Sequence, residues 1–141
     1  MRDFFDTSVL IAAFWRGHAQ HASSLRLFAA AHKEHSACGI HTLAEVYASM
    51  SALPVKPMIP PEQAFLFVEE VRQRLTLVSL SDREYLATIQ EASEQGLTGG
   101  RIYDALLLRC AANCGAQHIY TLNLKHFQNI APRLAPRMRT P

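Results

Sequence analysis

Hydrophobic positions along this chain alternate between short apolar runs and helical spacing, and the changes of rhythm fall at polar residues. The opening stretch, Asp3-Phe4-Phe5-Asp6-Thr7-Ser8-Val9-Leu10-Ile11-Ala12-Ala13-Phe14, reads as a short strand that halts at an acid and turns into a helix. Over residues 19–33, Leu25, Leu27, Phe28 and Ala31 recur at helical spacing. A second strand is predicted over residues 36–40, then a helix that opens at Thr42 with Val46, Tyr47 and Met50 as its apolar partners. Prolines 54, 57, 60 and 61 make residues 53–61 a connector, since proline neither continues a helix nor sits in a central strand. With Pro61 pre-set for a first turn, residues 62–75 form the next helix, and 75–80 alternate into a third strand. Ser81-Asp82-Arg83-Glu84 has the spacing of a capping box and opens a helix to Gln95, with Gly96 as its stop. Residues 101–114 are apolar nearly all round, the mark of a helix buried on most sides, and Gly115 ends it. A fourth strand covers residues 118–122 and stops at Asn123, and a fifth falls near 136–140.

This order of strands separated by helix pairs predicts a three-layer α/β/α sandwich around a central, mostly parallel, twisted sheet of about five strands. A single domain over residues 1–141 is expected, with no repeat or low-complexity tract. If the sheet winds out through strands one to three and returns to place strand four beside strand one, the switch point lies between one and four.

Composition supports a compact fold: 49% of the 141 residues are hydrophobic and 18% charged. No run is long enough to cross a membrane, and the N-terminus lacks the pattern of a secretory leader, so a cytoplasmic protein is expected. Cys38, Cys110 and Cys114 are an odd number without a disulfide framework and fit a reducing compartment. They read as small core hydrophobes, because Cys110-x3-Cys114-x3-His118 lacks the four ligands and close pairs of structural zinc. His18 and His21 read as solvated surface. The net charge of +2 permits a polyanionic partner without requiring one. The one basic strip is residues 133–139, with three arginines and no acid.

Acids at element ends carry the chemistry. Asp6 closes strand one, Glu45 lies in the first turn after strand two, and Asp104 opens the most apolar helix, where a lone carboxylate faces a desolvation cost. Asn123 ends strand four. Each acid has a plain alternative: Asp6 as a helix cap, Glu45 in a capping box with Thr42, Asp104 as a carboxylate stabilised by the helix dipole. If they converge, three carboxylates repel one another unless a cation is shared, and a few hard oxygen ligands suit Mg²⁺, with Mn²⁺ as the alternative. Such a site supports phosphodiester hydrolysis.

The residues Phe5-Asp6-Thr7-Ser8-x-x-Ile11, Leu43-Ala44-Glu45-Val46, Asp104-Ala105-Leu106 with Ala111, and Thr121-Leu122-Asn123-Leu124-Lys125-His126-Phe127 resemble, in order and spacing, the motifs of PIN-domain nucleases. Within that family they look like the VapC toxins of bacterial toxin–antitoxin pairs. The resemblance spans nearly the whole chain and rests on the ordered set, since no single motif is specific. It implies a PIN-like sheet, a Mg²⁺-dependent endoribonuclease, metal binding by Asp6, Glu45 and Asp104, and supporting hydroxyls from Ser8 and Thr121. It also implies an RNA substrate, a small antitoxin that covers the site, and a homodimer. One departure stands out: Asn123 takes the place where many PIN domains carry a fourth acid, which brings no charge for a second tightly held ion.

Arg101 and Lys125 flank the acids and are candidate RNA-phosphate contacts, with ordinary surface as the alternative. Gly96, Gly99 and Gly100 are not a phosphate-binding loop, because no Lys-Ser or Lys-Thr follows. Trp15, with His18 nearby, is either core or a surface for stacking a base. Two rival readings stay open: a PIN nuclease of RNA processing without an antitoxin, and an inactive module that binds RNA or protein and uses its acids as caps.

Overall fold

The structure, a computed structural model, describes residues 1–141. Its elements in order are β1 (Asp3–Phe5), α1 (Thr7–Phe14), α2 (His21–Ala29), β2 (Ser36–Gly39), α3 (His41–Ser51), α4 (Pro61–Arg74), β3 (Thr76–Val78), α5 (Asp82–Glu94), α6 (Arg101–Asn113), β4 (His118–Tyr120), α7 (Leu124–Ile130), a 3₁₀ segment (Pro132–Arg137) and β5 (Met138–Arg139). The five strands lie in the order β3-β2-β1-β4-β5, and every pairing is parallel. The chain therefore winds outward from β1 and returns to its other side, and β1 and β4 flank the switch point as expected.

Side-chain alternation along β1 builds the three layers. Phe4 and Phe5 are both fully buried but face opposite ways, which at roughly 2–3 kcal/mol for each buried ring anchors both sides of the sheet. Phe5 joins Val9, Leu10, Val46, Met50 and Val71 under α1, α3 and α4. Phe4 joins Leu107, Ile119, Phe127 and Met138 under α6 and α7. Ala37 and Cys38 divide between the same two cores along β2. Close approach is needed there: a Cβ on Gly39 would stand 2.5 Å from Leu107 Cδ2, so glycine lets α6, which carries Asp104, sit against β2.

Several expectations hold in detail. Ser81 and Glu84 form the reciprocal capping box, and Gly96 and Gly115 take positive φ just past α5 and α6. Cys38 and Cys110 are buried, with burial pushing the Cys110 thiol up to about 11. Other expectations need correction. The α2 helix runs only from His21 to Ala29, because residues 15–21 are taken up by successive turns in which His18 and His21 amides bond Trp15 and His18 carbonyls. His18 and His21 are half-buried: His21 Nδ1–H donates to the Ala12 carbonyl at 2.8 Å, and His18 Nδ1 accepts the Gln20 amide at 3.0 Å. Pro136 falls inside the 3₁₀ segment, which leaves β5 only two residues. Helix α7 leaves no pattern in the sequence, because its apolar residues Leu124, Phe127 and Ile130 span too short a run to establish a period.

Candidate active site

The carboxyl ends of β1 and β4 deliver Asp6 and Thr121 to the switch point, and the amino-terminal turns of α1, α3 and α6 close around them. Asp6 is 3% exposed and occupies the N-cap position of α1, yet its side chain makes no capping hydrogen bond. Its Oδ2 accepts instead from Ser8 Oγ at 2.6 Å and Thr121 Oγ1 at 2.9 Å. Both hydroxyls are locked from behind, because the Leu122 amide donates to Ser8 Oγ and the Asn123 amide to Thr121 Oγ1, each at 3.0 Å. An amide N–H can only donate, so each hydroxyl proton is directed at Asp6. Burial raises the Asp6 pKa, against the Ser8 and Thr121 hydroxyls and the nearby Thr7 and Ser8 amides, which pull it down. Both side-chain donors fall on Oδ2, so Oδ1 receives no side-chain hydrogen bond.

Glu45 reaches the same cleft from α3. Helix α3 begins at His41, so Thr42 lies inside the first turn and no capping box forms. The reason is tertiary: Thr7 Oγ1 on α1 sits 3.0 Å from Thr42 Oγ1 and donates to Glu45 Oε1 across 3.1 Å, tying Glu45 to α1. Glu45 is pushed up by burial and by the Asp6 charge, with the Thr7 hydroxyl opposing. Asp104 sits in the first turn of α6 without a capping bond. Burial first, then the Asp6 and Glu45 charges, raise its pKa to about 6, while His126 and Arg101 pull it down. Three acids from three elements thus feel one another's charge, and none of the chain's ion pairs involves them.

The three carboxylates are not a ready-made ligand cluster: no group of three His, Cys, Asp or Glu side chains stands arranged to hold a metal ion. The donor set nonetheless fits a hard divalent cation, being all oxygen, acidic, buried at Asp6 and half-buried at Glu45 and Asp104, and without an ion-pair partner. Asn123 stands exposed at the rim; its backbone amide holds Thr121, and its side chain makes no hydrogen bond to the cluster. Arg101 and Lys125 are exposed on α6 and α7. Thr7 and Thr42 escaped the sequence reading as site residues, because only the packing of α1 on α3 brings them to Glu45; no spacing signals it.

An all-parallel doubly wound sheet with unpaired acids gathered at its switch point defines an α/β protein with an acidic cleft. Residues 4–131 match the PIN domain, and the chain belongs to the PIN-domain family. It is 35% identical to Ribonuclease VapC27 of Mycobacterium tuberculosis over 112 residues, 79% of this chain and 78% of that protein. Among solved structures it resembles VapBC2 from Rickettsia felis bound to a DNA fragment from their promoter, with a TM-score of 0.66 at 21% identity, covering 100% of this chain and 99% of that one. It also resembles VapC20 of Mycobacterium tuberculosis, a Sarcin-Ricin loop cleaving toxin, with a TM-score of 0.66 at 17% identity and 83% and 86% of the two chains covered. At these identities the two structures speak to the fold. No helix is long and apolar enough to cross a membrane.

Proposed function

We propose that the chain is a Mg²⁺-dependent endoribonuclease, with Mn²⁺ as a substitute, and the VapC-like toxin of a toxin–antitoxin pair whose action on RNA inhibits translation or growth. The observation that carries this reading is the set of three carboxyl groups without an ion-pair partner, Asp6 buried and Glu45 and Asp104 half-buried, each raised in pKa, with the Asp6 charge acting on the other two. Family membership and the name of the VapC27 relative support the nuclease part. Likeness to a VapBC complex supports a cognate antitoxin.

Asp6, Glu45 and Asp104 would hold the cation. Bound there, it supplies charge neutralisation at a phosphoryl oxygen and a water of lowered pKa. The chain's own residues orient the site: Ser8 and Thr121 fix the Asp6 rotamer through Oδ2, and Thr7 fixes Glu45 through Oε1. Oδ1, which takes neither hydroxyl, would be the oxygen left for the cation. Asp104, its pKa raised to about 6 by burial and the Asp6 and Glu45 charges, would hold the cation in its deprotonated form. Asn123 offers an uncharged amide at the rim, which suits one well-held ion rather than two. Arg101 and Lys125, both exposed, would meet RNA phosphates. A homodimer is part of the same reading, and the exposed apolar residues Met58, Phe65 and Leu66 before and on α4 are a surface available to a protein partner.

Incubation of the purified chain with total cellular RNA tests the proposal. Discrete new ends are expected with Mg²⁺ or Mn²⁺, none in chelator, and none from Asp6→Asn. Cleavage that persists in Asp6→Asn removes the mechanism. Growth arrest on expression, relieved by the product of a small adjacent reading frame, tests the toxin assignment.

A further inference from the structure

A groove runs along one face of α1 beside the acid cleft. Ser8, Ile11 and Trp15 follow at helical spacing, His18 stands beyond them, and Asn123 and Thr140 form part of the opposite wall, enclosing about 650 Å³. The groove borders the site, since Ser8, which lines it, donates to Asp6. Trp15 is half-buried, with part of its ring packed on the core around Phe5 and Leu10. Its position is held: the His18 ring meets it edge-on at 5.8 Å, and the indole lies so close over Gly17 that a Cβ there would stand 3.0 Å from Nε1. His18 Nδ1 accepts the Gln20 amide, which places the proton of the neutral ring on Nε2 and leaves that donor unpartnered within the chain.

We propose that this groove is a subsite for one unpaired nucleobase of the RNA strand, adjoining the phosphate in the acid cleft, with Trp15 as the stacking surface and His18 as a donor to the base edge. The inference rests on the ribonuclease reading and adds a specificity residue to it. The lining chemistry selects the occupant. Neither Lys nor Arg lines the groove, which disfavours a phosphate, and only three of its nine lining residues are hydrophobic, which disfavours a partner's apolar helix face. An aromatic plane with Gln20 and Asn123 amides nearby suits a base, whose flat face stacks and whose edge hydrogen-bonds.

Trp15 is the one tryptophan of the chain, so its emission reports the groove directly. The full chain, in chelator, is titrated with short single strands of U, C and A and with an abasic strand of equal length. Saturable quenching by at least one base-bearing strand is expected, and none by the abasic strand. In cleavage assays, Trp15→Leu raises KM roughly tenfold with kcat within about twofold, and Trp15→Phe recovers most of the loss. Gly17→Ala keeps the indole but displaces it, and weakens binding by about threefold or more. An indole that responds to no strand, or equally to the abasic one, overturns the subsite, as does Trp15→Leu binding and cutting like the unaltered chain; an unaltered chain that still cuts RNA then leaves the ribonuclease reading standing. A chain that quenches but cuts nothing keeps the subsite and removes the nuclease.

Discussion

Strand β1 carries a buried aspartate at its start and another just past its end, three residues apart, and the protein treats them in opposite ways. Asp3, 5% exposed at the amino end of the sheet, is answered by cationic or cationisable groups: Arg2 Nε lies 3.1 Å from Oδ2 and His118 Nδ1 3.1 Å from Oδ1. Asp6, 3% exposed at the carboxyl end, is met only by neutral hydroxyls and amides and shares its surroundings with two further acids. A fold that can pair a buried carboxylate at one pole leaves three unpaired at the other. On the proposed reading the first pole is structural, and the second leaves charge for a ligand to neutralise.

Substitution at the two positions gives the largest contrast. Asp6→Asn is expected to lower RNA cleavage roughly 10²–10³-fold or more, with circular dichroism and melting unchanged or improved. Thr121→Val removes the hydroxyl that fixes Asp6 and should lower cleavage about 10–100-fold, with metal affinity falling in parallel. Asp3→Asn should do the reverse of Asp6→Asn, weakening the fold by about 1–2 kcal/mol, since Arg2 and His118 are part-exposed, while the folded protein cuts within about twofold of normal. Denaturant titration beside initial rates separates these outcomes.

The smallest effect is the most specific. The pKa of Asp104 rises from 3.8 unfolded to about 6 folded, so between those values the folded state holds the proton more tightly than the unfolded chain. Its contribution to stability is fully present below the unfolded value and is lost as pH rises through about 6. Asp104→Asn should therefore melt higher than the unaltered chain at pH 7, by about 1 kcal/mol after solvent screening, with the advantage vanishing toward pH 4. It should also be inactive, a trade of function against stability. Equal pH dependence of melting in the two proteins would show that the acids at this pole do not feel one another.

Much of this architecture was legible because it is written locally. The halt of an apolar run at Asp6, the Ser81–Glu84 capping box and the glycine stops after α5 and α6 depend on neighbours in sequence, and the strand order followed from their succession. The acids at 6, 45 and 104 stood out because carboxylates at the ends of apolar elements are costly without a purpose. What escaped depended on contacts distant in sequence. Thr42-x-x-Glu45 has capping-box spacing, but Thr7, thirty-five residues before Thr42, takes its place as partner of Glu45. Trp15 and His18 could not be separated from core or surface by pattern alone, because the groove they line is closed by Asn123 and the C-terminal Thr140.

The most direct test of the central claim, that the carboxyl pole is built to share one dication, is a calorimetric or spin-resonance titration of the purified chain with Mn²⁺, alongside Asp3→Asn, Asp6→Asn and Asp104→Asn. The account predicts one saturable site in the unaltered protein and in Asp3→Asn, and affinity lowered roughly tenfold or more in each of the other two. No saturable binding, or equal affinity in all four proteins, would contradict it.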